Sequence, residues 1–147
     1  MRQNGFTLIE LMIVLTIFAL ASVVVVMVIP DPRGGVRDDA ERFASRIRAA
    51  HDAAIVEARP VSVWVTAGGY GFDERAGGRW QAMGDKALRV VQWGKGVQAV
   101  TTAANGRDRV IFDPTGMSDQ PLLVELRRDG QSERVSIGVN GAVRVGG

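Results

Sequence analysis

Glu10 is the one charged side chain in the 24 residues from Phe6 to Ile29. A carboxylate in an apolar helix costs about 2.5 to 3.5 kcal/mol at the centre of a bilayer and less toward an end, so its presence calls for a compensating partner. The rest of the chemical inventory is thin. His51, the single histidine, has Arg48 and Glu57 near it in sequence and reads as a solvated helix residue; the chain has no cysteine and no serine in a nucleophile-elbow pattern. Gly68-Gly69-Tyr70-Gly71 and Gly94-Lys95-Gly96 lack the P-loop spacing and its Lys-Ser/Thr ending, and read as hairpin corners. Asp113, Ser118 and Asp119 offer oxygens to calcium without the ligand density of a calcium loop, so an Asp-Pro turn is expected there. Trp64, Trp80 and Trp93 read as core or edge packing. Arg127, Arg128, Arg134 and Arg144, less Asp129 and Glu133, leave a cluster of +2 that is expected on a solvated sheet face. No catalytic residue, metal or cofactor is expected.

Composition narrows the classes further. A chain of 147 residues holds one ordinary domain and an appendage, which excludes a multidomain enzyme. Eighteen basic against 16 acidic residues leave +2, and 16 of the 18 are arginine, so the pI of about 9.7 reflects near balance with poorly titrating bases. That is no cationic coat, and nucleic acid is not an expected partner. With zero cysteines there is no disulfide scaffold, thiolate nucleophile or cysteine-based zinc site.

The elements that must carry these residues divide in two. Leu11 to Ile29 is a run of 19 residues without a charge. As a helix, residues 6–29 span about 36 Å at 1.5 Å per residue, enough to cross a hydrocarbon core of about 30 Å with some tilt, with Leu11, Val14, Ile17, Leu20, Val24 and Ile29 along the membrane helix. A cleaved secretory signal is the rival, with Arg2 as its positive start and Ala19-Leu20-Ala21 as a small-x-small site. The apolar run continues past that site to Ile29 and contains Glu10, and both features count against it. Pro30 and Pro32, followed by Gly34 and Gly35, predict a hinge. Val36, Ala40, Phe43, Ile47, Ala50, Ala54 and Ala58 then recur at steps of three and four between charged residues, an amphipathic helix with Asp38 and Asp39 near its positive end and Arg59-Pro60 closing it. One long kinked rod from about Phe6 to Ala58 is expected.

After residue 60 the period becomes two, and 15 of the 18 glycines lie there. Strands are expected at Val61 to Thr66, Tyr70 to Asp73, Arg79 to Met83, Leu88 to Gln92, Gly96 to Val100, Arg109 to Phe112, Leu122 to Arg128, Glu133 to Gly138 and Ala142 to Val145. Asp129-Gly130 and Asn140-Gly141 each read as a two-residue hairpin turn. Leu122, Val124 and Leu126 share one face, answered by Val135, Ile137 and Val139, then Val143 and Val145, which predicts an antiparallel core. The fold class is therefore α+β: a long N-terminal helix, half membrane-spanning and half amphipathic, followed by an antiparallel β domain.

Met1-Arg2-Gln3-Asn4, then Gly5, then Phe6-Thr7-Leu8-Ile9-Glu10-Leu11-Met12 resembles the processing site of type IV prepilins and type II secretion pseudopilins. The resemblance implies that a prepilin peptidase cuts between Gly5 and Phe6 on the cytoplasmic side and methylates the new Phe6 amine. Glu10 becomes the fifth mature residue, and its carboxylate pairs with the Phe6 amine of a neighbouring subunit, which favours one axial register. Trp80, Leu88, Trp93-Gly94, Gly96-Val97, Ile111-Phe112-Asp113-Pro114-Thr115-Gly116, Val135-Ser136-Ile137 and Gly141-Ala142-Val143 resemble the C-terminal β domain of the GspH/FimT group. Together the two likenesses imply a pilin-like chain of H-type minor pseudopilin character with two packed sheets. Its parts are a leader over residues 1–5, a transmembrane and assembly helix over 6–29, a hinge and soluble helix over 30–59, and a periplasmic β domain over 60–147. Such a chain is a single-pass protein of the bacterial inner membrane, near the tip of a short pseudopilus. Its implied partners are the prepilin peptidase, the other major and minor pseudopilins, the inner membrane and the secretion-system components. Two alternatives stay open: a FimT-like minor pilin of a type IV pilus that captures DNA through the arginine cluster, and a membrane-anchored periplasmic enzyme.

Overall fold

The structure is a computed structural model that describes residues 6–28 and 32–146, with the side chains of 22–28 and 32–34 left aside. The leader with Gly5, the hinge prolyl Pro30 and Ile29 lie outside the described residues, as does the side chain of Val24. Two units are present, residues 1–31 and 32–147.

The first unit holds helix α1, Leu8–Val28. The Thr7 hydroxyl accepts from the backbone N–H of Glu10 at 3.3 Å, and the Thr7 carbonyl accepts from Glu10 and Leu11, so Thr7 is the N-cap. Its apolar side chains stand uncovered: Leu11, Val14, Ile17 and Leu20 are 55, 41, 59 and 65 % exposed. Described side chains of α1 end at Ala21, and among the described residues no helix is long and apolar enough to cross a membrane.

The second unit opens with helix α2, Pro32–Val56. Proline suits the first turn, where its missing N–H would have no helical partner. The helix therefore runs through Gly34 and Gly35, where the sequence predicts a hinge. Val36, Ala40, Phe43, Ala44, Ile47, Ala50 and Ala54 are buried, the stripe expected from the spacing with Ala44 added. Ala58 is not part of it. It is exposed at φ 51°, past the helix end, where Arg59 N–H bonds Ala54 carbonyl and Ala58 N–H bonds Ile55 carbonyl. This closing turn places a left-handed residue at the position that glycine usually fills. Ala58→Gly removes a left-handed penalty of about 1 to 2 kcal/mol and gives back part of it as added freedom of the unfolded chain. A net gain of roughly 0.5 to 1 kcal/mol is expected, read as a higher Tm in a thermal melt.

Among the described residues nine strands follow, in two antiparallel sheets. Strands β1 (Val61–Thr66), β2 (Gly69–Ala76), β3 (Arg79–Ala82), β4 (Val91–Gln92) and β6 (Arg107–Phe112) form the first, in the order β3-β2-β1-β6 with β4 also on β2. Strands β5 (Gln98–Val100), β7 (Leu122–Arg128), β8 (Gln131–Ile137) and β9 (Val143–Val145) form the second, in the order β5-β7-β8-β9. Alternation places Val61, Val63, Val65, Phe72, Val110 and Phe112 inside from one sheet and Val124, Leu126, Val135 and Ile137 from the other. Helix α2 packs against β1 and against β7, β8 and β9, so one core joins the helix stripe to both sheets.

Local polar chemistry moved several boundaries. Asp85 accepts from Ala87 N–H at 2.9 Å and caps a 3-10 turn, Lys86–Leu88. That turn consumes the front of the strand expected at Leu88 to Gln92 and leaves the two residues of β4. Asp129 (φ 48°) and Gly130 (φ 77°) do make the tight turn between β7 and β8, with Arg128 facing Gln131. Asn140-Gly141 does not, because the Asn140 side chain accepts from Ala142 N–H and Gly138 N–H bonds Ala142 carbonyl, which widens the connection to Gly138–Ala142. Val139 is thereby turned out of the core and is 52 % exposed.

Candidate functional site

Glu10 sits in the first turn of α1, where its backbone N–H is taken by Thr7 and its carboxylate is exposed with no ion-pair partner among the described residues. Thr7 and Glu10 have the Ser/Thr-x-x-Glu spacing of a helix start, a signal in the sequence that the membrane-span reading left unused. Phe6, one residue ahead of the cap, is 83 % exposed. The arrangement holds an acid, an aromatic ring and a helix start together at one end of an uncovered apolar rod. Gly5 lies outside the described residues.

His51 is a packing residue rather than a solvated one. Its ring meets Phe112 edge-on at 5.4 Å, its Nδ1 is 3.2 Å from Asp52, and its side chain is 23 % exposed. The loop after β8 closes on it so tightly that a Cβ at Gly141 would come within 2.6 Å of the ring. Asp39 likewise does not serve the helix start. It is 7 % exposed, seven residues into α2, and accepts from Gly94 N–H at 2.7 Å while Arg42 approaches at 3.4 Å. That bond ties α2 to the Trp93-Gly94 turn, and Trp93 itself is buried against Phe43 and Tyr70 with its indole N–H donated to the Thr66 carbonyl at 3.2 Å. Burial raises the Tyr70 hydroxyl above its ordinary range, with Arg46 opposing.

The three side chains considered for calcium are engaged in local hydrogen bonds. Asp113 accepts from the Thr115 hydroxyl and from the Thr115 and Met117 amides, and the Thr115 hydroxyl is the main reason its carboxyl is held below the usual range. The Ser118 hydroxyl donates to the carbonyls of Gln120 and Gly138, and Asp119 accepts from Ile111 N–H. No cluster of three or more His, Cys, Asp or Glu able to hold a metal occurs among the described residues.

The C-terminal arginines lie on the second sheet largely answered by acids. Arg127 bonds Glu125 at 3.0 Å, which holds that carboxyl below its ordinary range, Arg134 faces Glu125 across the strand pair, and Arg128 bonds Asp129 at 3.3 Å. Arg144 faces Ser136. A different group of arginines escaped the sequence reading. On the outward face of the first sheet Arg107 covers Trp64 at 4.1 Å, and Trp80 carries Arg109 at 4.4 Å and Arg75 at 5.8 Å.

Comparison with known proteins fits this geometry. The family described as Type II transport protein GspH matches residues 39–142, and the prokaryotic N-terminal methylation motif matches residues 1–26. A type II secretion system protein H of Aeromonas hydrophila is 33 % identical over 96 residues, which is 62 % of this chain and 52 % of that protein. The match thus spans about half the length of this relative. Among solved structures, the minor pseudopilin EpsH of the Vibrio cholerae type 2 secretion system aligns with a TM-score of 0.62 at 19 % identity, over 76 % of this chain and 95 % of the other. The type IV minor pilin FimU of Pseudomonas aeruginosa aligns with a TM-score of 0.60 at 16 % identity, over 78 and 90 %. At these identities the likeness is one of fold, which is the pilin-like helix with an antiparallel two-sheet domain.

Proposed function

Since the chain belongs to the GspH family of type II transport proteins, we propose that it is a minor pseudopilin, a structural subunit at or near the tip of a type II secretion pseudopilus that supports export across the outer membrane. A prepilin peptidase removes residues 1–5 and methylates Phe6, residues 6–29 form the single inner-membrane span, and the domain that follows stands in the periplasm. There it assembles with other major and minor pseudopilins and with the secretion machinery. The observation that carries this reading is the coincidence, in one chain, of the Gly5-Phe6-Glu10 junction before an uncharged run with a GspH-type β domain. The uncovered side chains of α1 support it, since an apolar helix of this kind needs lipid or neighbouring helices around it.

Mass spectrometry of the protein from cells with an active peptidase is expected to show a chain of 142 residues, 147 less the five of the leader, beginning with N-methylated phenylalanine. Gly5→Leu is expected to leave the leader in place while insertion continues, because a branched side chain obstructs the cleavage site. An intact Met1 in the unsubstituted protein overturns the reading. The second reading, a DNA-capturing minor pilin, draws on the FimU likeness and the C-terminal arginines. The pairing of Arg127 and Arg128 with Glu125 and Asp129 argues against it. Tight duplex binding by this chain, falling by roughly 0.9 log units per log unit of salt for each phosphate neutralised and lost on Arg→Ala replacement, would reverse the preference. No enzymatic role is proposed.

A further inference from the structure

The strand register brings Trp64, Gly71 and Arg109 side by side on β1, β2 and β6, and sets Arg75 against Trp80 on β2 and β3. Gly71 has a steric role here: a Cβ at that position would lie 2.3 Å from the Trp64 ring, so glycine lets the indole lie down on the sheet. The Arg107 guanidinium then covers the ring. Beside it Arg109 Nε donates to the Ser62 hydroxyl at 2.6 Å while its guanidinium lies over Trp80. Trp64, Asp73, Asn105, Arg107 and Arg109 together line a cleft of about 310 Å³. Two donors of those lining residues, Trp64 Nε1 and Arg109 Nη2, are buried and have no acceptor among the described residues. Buried donors are nearly always paired, and these two belong to adjacent residues on one cleft.

We propose that this cleft is a carboxylate-recognition site for an acidic side chain of a neighbouring subunit. The proposal rests on the reading of the chain as an assembly subunit and names the surface and the chemistry of one of its contacts. A guanidinium fork beside an indole N–H presents planar, charge-assisted donors of the kind a carboxylate accepts in two places at once. The tryptophans are not free platforms for nucleobases, because Trp64 is held between Gly71 and Arg107 and Trp80 lies under two arginines. Asp73 in the lining reduces the local positive charge, which suits a singly charged carboxylate better than a phosphate backbone. The face lies on the sheet surface opposite the core, where a neighbour can reach it.

The test uses the full chain in detergent micelles with nitrogen-15 label, the Trp64 indole resonance being assigned by its loss in Trp64→Phe. A capped Gly-Glu-Gly peptide is expected to shift that resonance saturably, and a capped Gly-Gln-Gly peptide is expected not to. Arg109→Lys keeps the charge and loses the fork, and is expected to weaken the glutamate peptide about tenfold or more. Absence of a saturable shift, or an equal shift with the glutamine peptide, overturns the site. A steeply salt-dependent shift of the same resonance by a single-stranded oligonucleotide overturns the choice of carboxylate. Co-purification with other pseudopilins completes the test and is expected to fall in Arg109→Lys. Unchanged co-purification in that variant overturns the neighbour as occupant, whereas a glutamate shift in a chain that co-purifies with no pseudopilin overturns the assembly reading instead.

Discussion

Glu10→Gln is expected to abolish incorporation into the filament tip while leaving the protein level, the leader cleavage and the helix start unchanged. The helix start is safe because the Thr7 cap accepts from the backbone N–H of Glu10, a donor that glutamine keeps. What is lost is the charge. In a low-dielectric setting a carboxylate and an ammonium attract far more strongly than in water, and removing one partner of such a pair leaves the other uncompensated. Insertion itself becomes easier, since a neutral amide is cheaper in lipid than an anion. A loss of assembly with normal insertion is therefore the signature of a register device, and a loss of both would signal a folding defect. The measurement is co-purification of the chain with other pseudopilins from membranes, beside a secretion assay. Wild-type assembly and export in Glu10→Gln would leave Glu10 without a register role, and the proposed function would then rest on the cleavage junction and the GspH-type β domain.

The parts of this molecule legible in its sequence are those set by short-range periodicity. The stripe Val36 to Ala54 follows from a helical repeat, the inward valines of β1 from a repeat of two, and the turn at Asp129-Gly130 from a dipeptide that favours positive φ. Where a side chain bonds the backbone a few residues away, the pattern misleads. Asp85 diverts the start of a strand into a 3-10 turn, and Asn140 widens a hairpin that the Asn-Gly dipeptide alone describes as tight. Contacts made by register are hidden altogether. Trp64, Gly71, Trp80, Arg107 and Arg109 come from four strands, and nothing in their spacing announces that one indole lies on the glycine and beneath an arginine. The tie from Asp39 to Gly94 is of the same kind, spanning 55 residues. The motif at Gly5, Phe6 and Glu10 is legible for the opposite reason, since its residues lie within six consecutive positions and match the N-terminal methylation motif with no need of the fold.

Phe43→Ala is expected to cost about 3 to 5 kcal/mol, a large share of the roughly 5 to 15 kcal/mol that holds a domain of this size. Phe43 is fully buried at the point where α2 meets the first sheet, with Tyr70 at 4.6 Å and Trp93 at 5.2 Å, the latter edge-on. Truncation removes the transfer free energy of the ring, two aromatic contacts and the support of the Trp93-Gly94 turn, whose other tie to α2 is the Asp39 bond. Neither partner is placed to fill the gap. Tyr70 is fixed in β2 by its pairing with Val65 and Val91, and Trp93 by its bond to Thr66. Equilibrium unfolding in urea, followed by tryptophan fluorescence, is expected to show a lowered midpoint with an unchanged slope. Phe43→Leu, which refills most of the volume, is expected to recover more than half of the loss. A cost below about 1 kcal/mol for Phe43→Ala would mean that the helix and sheet can collapse onto the cavity, and that the aromatic cluster is not what fixes α2 on the β domain.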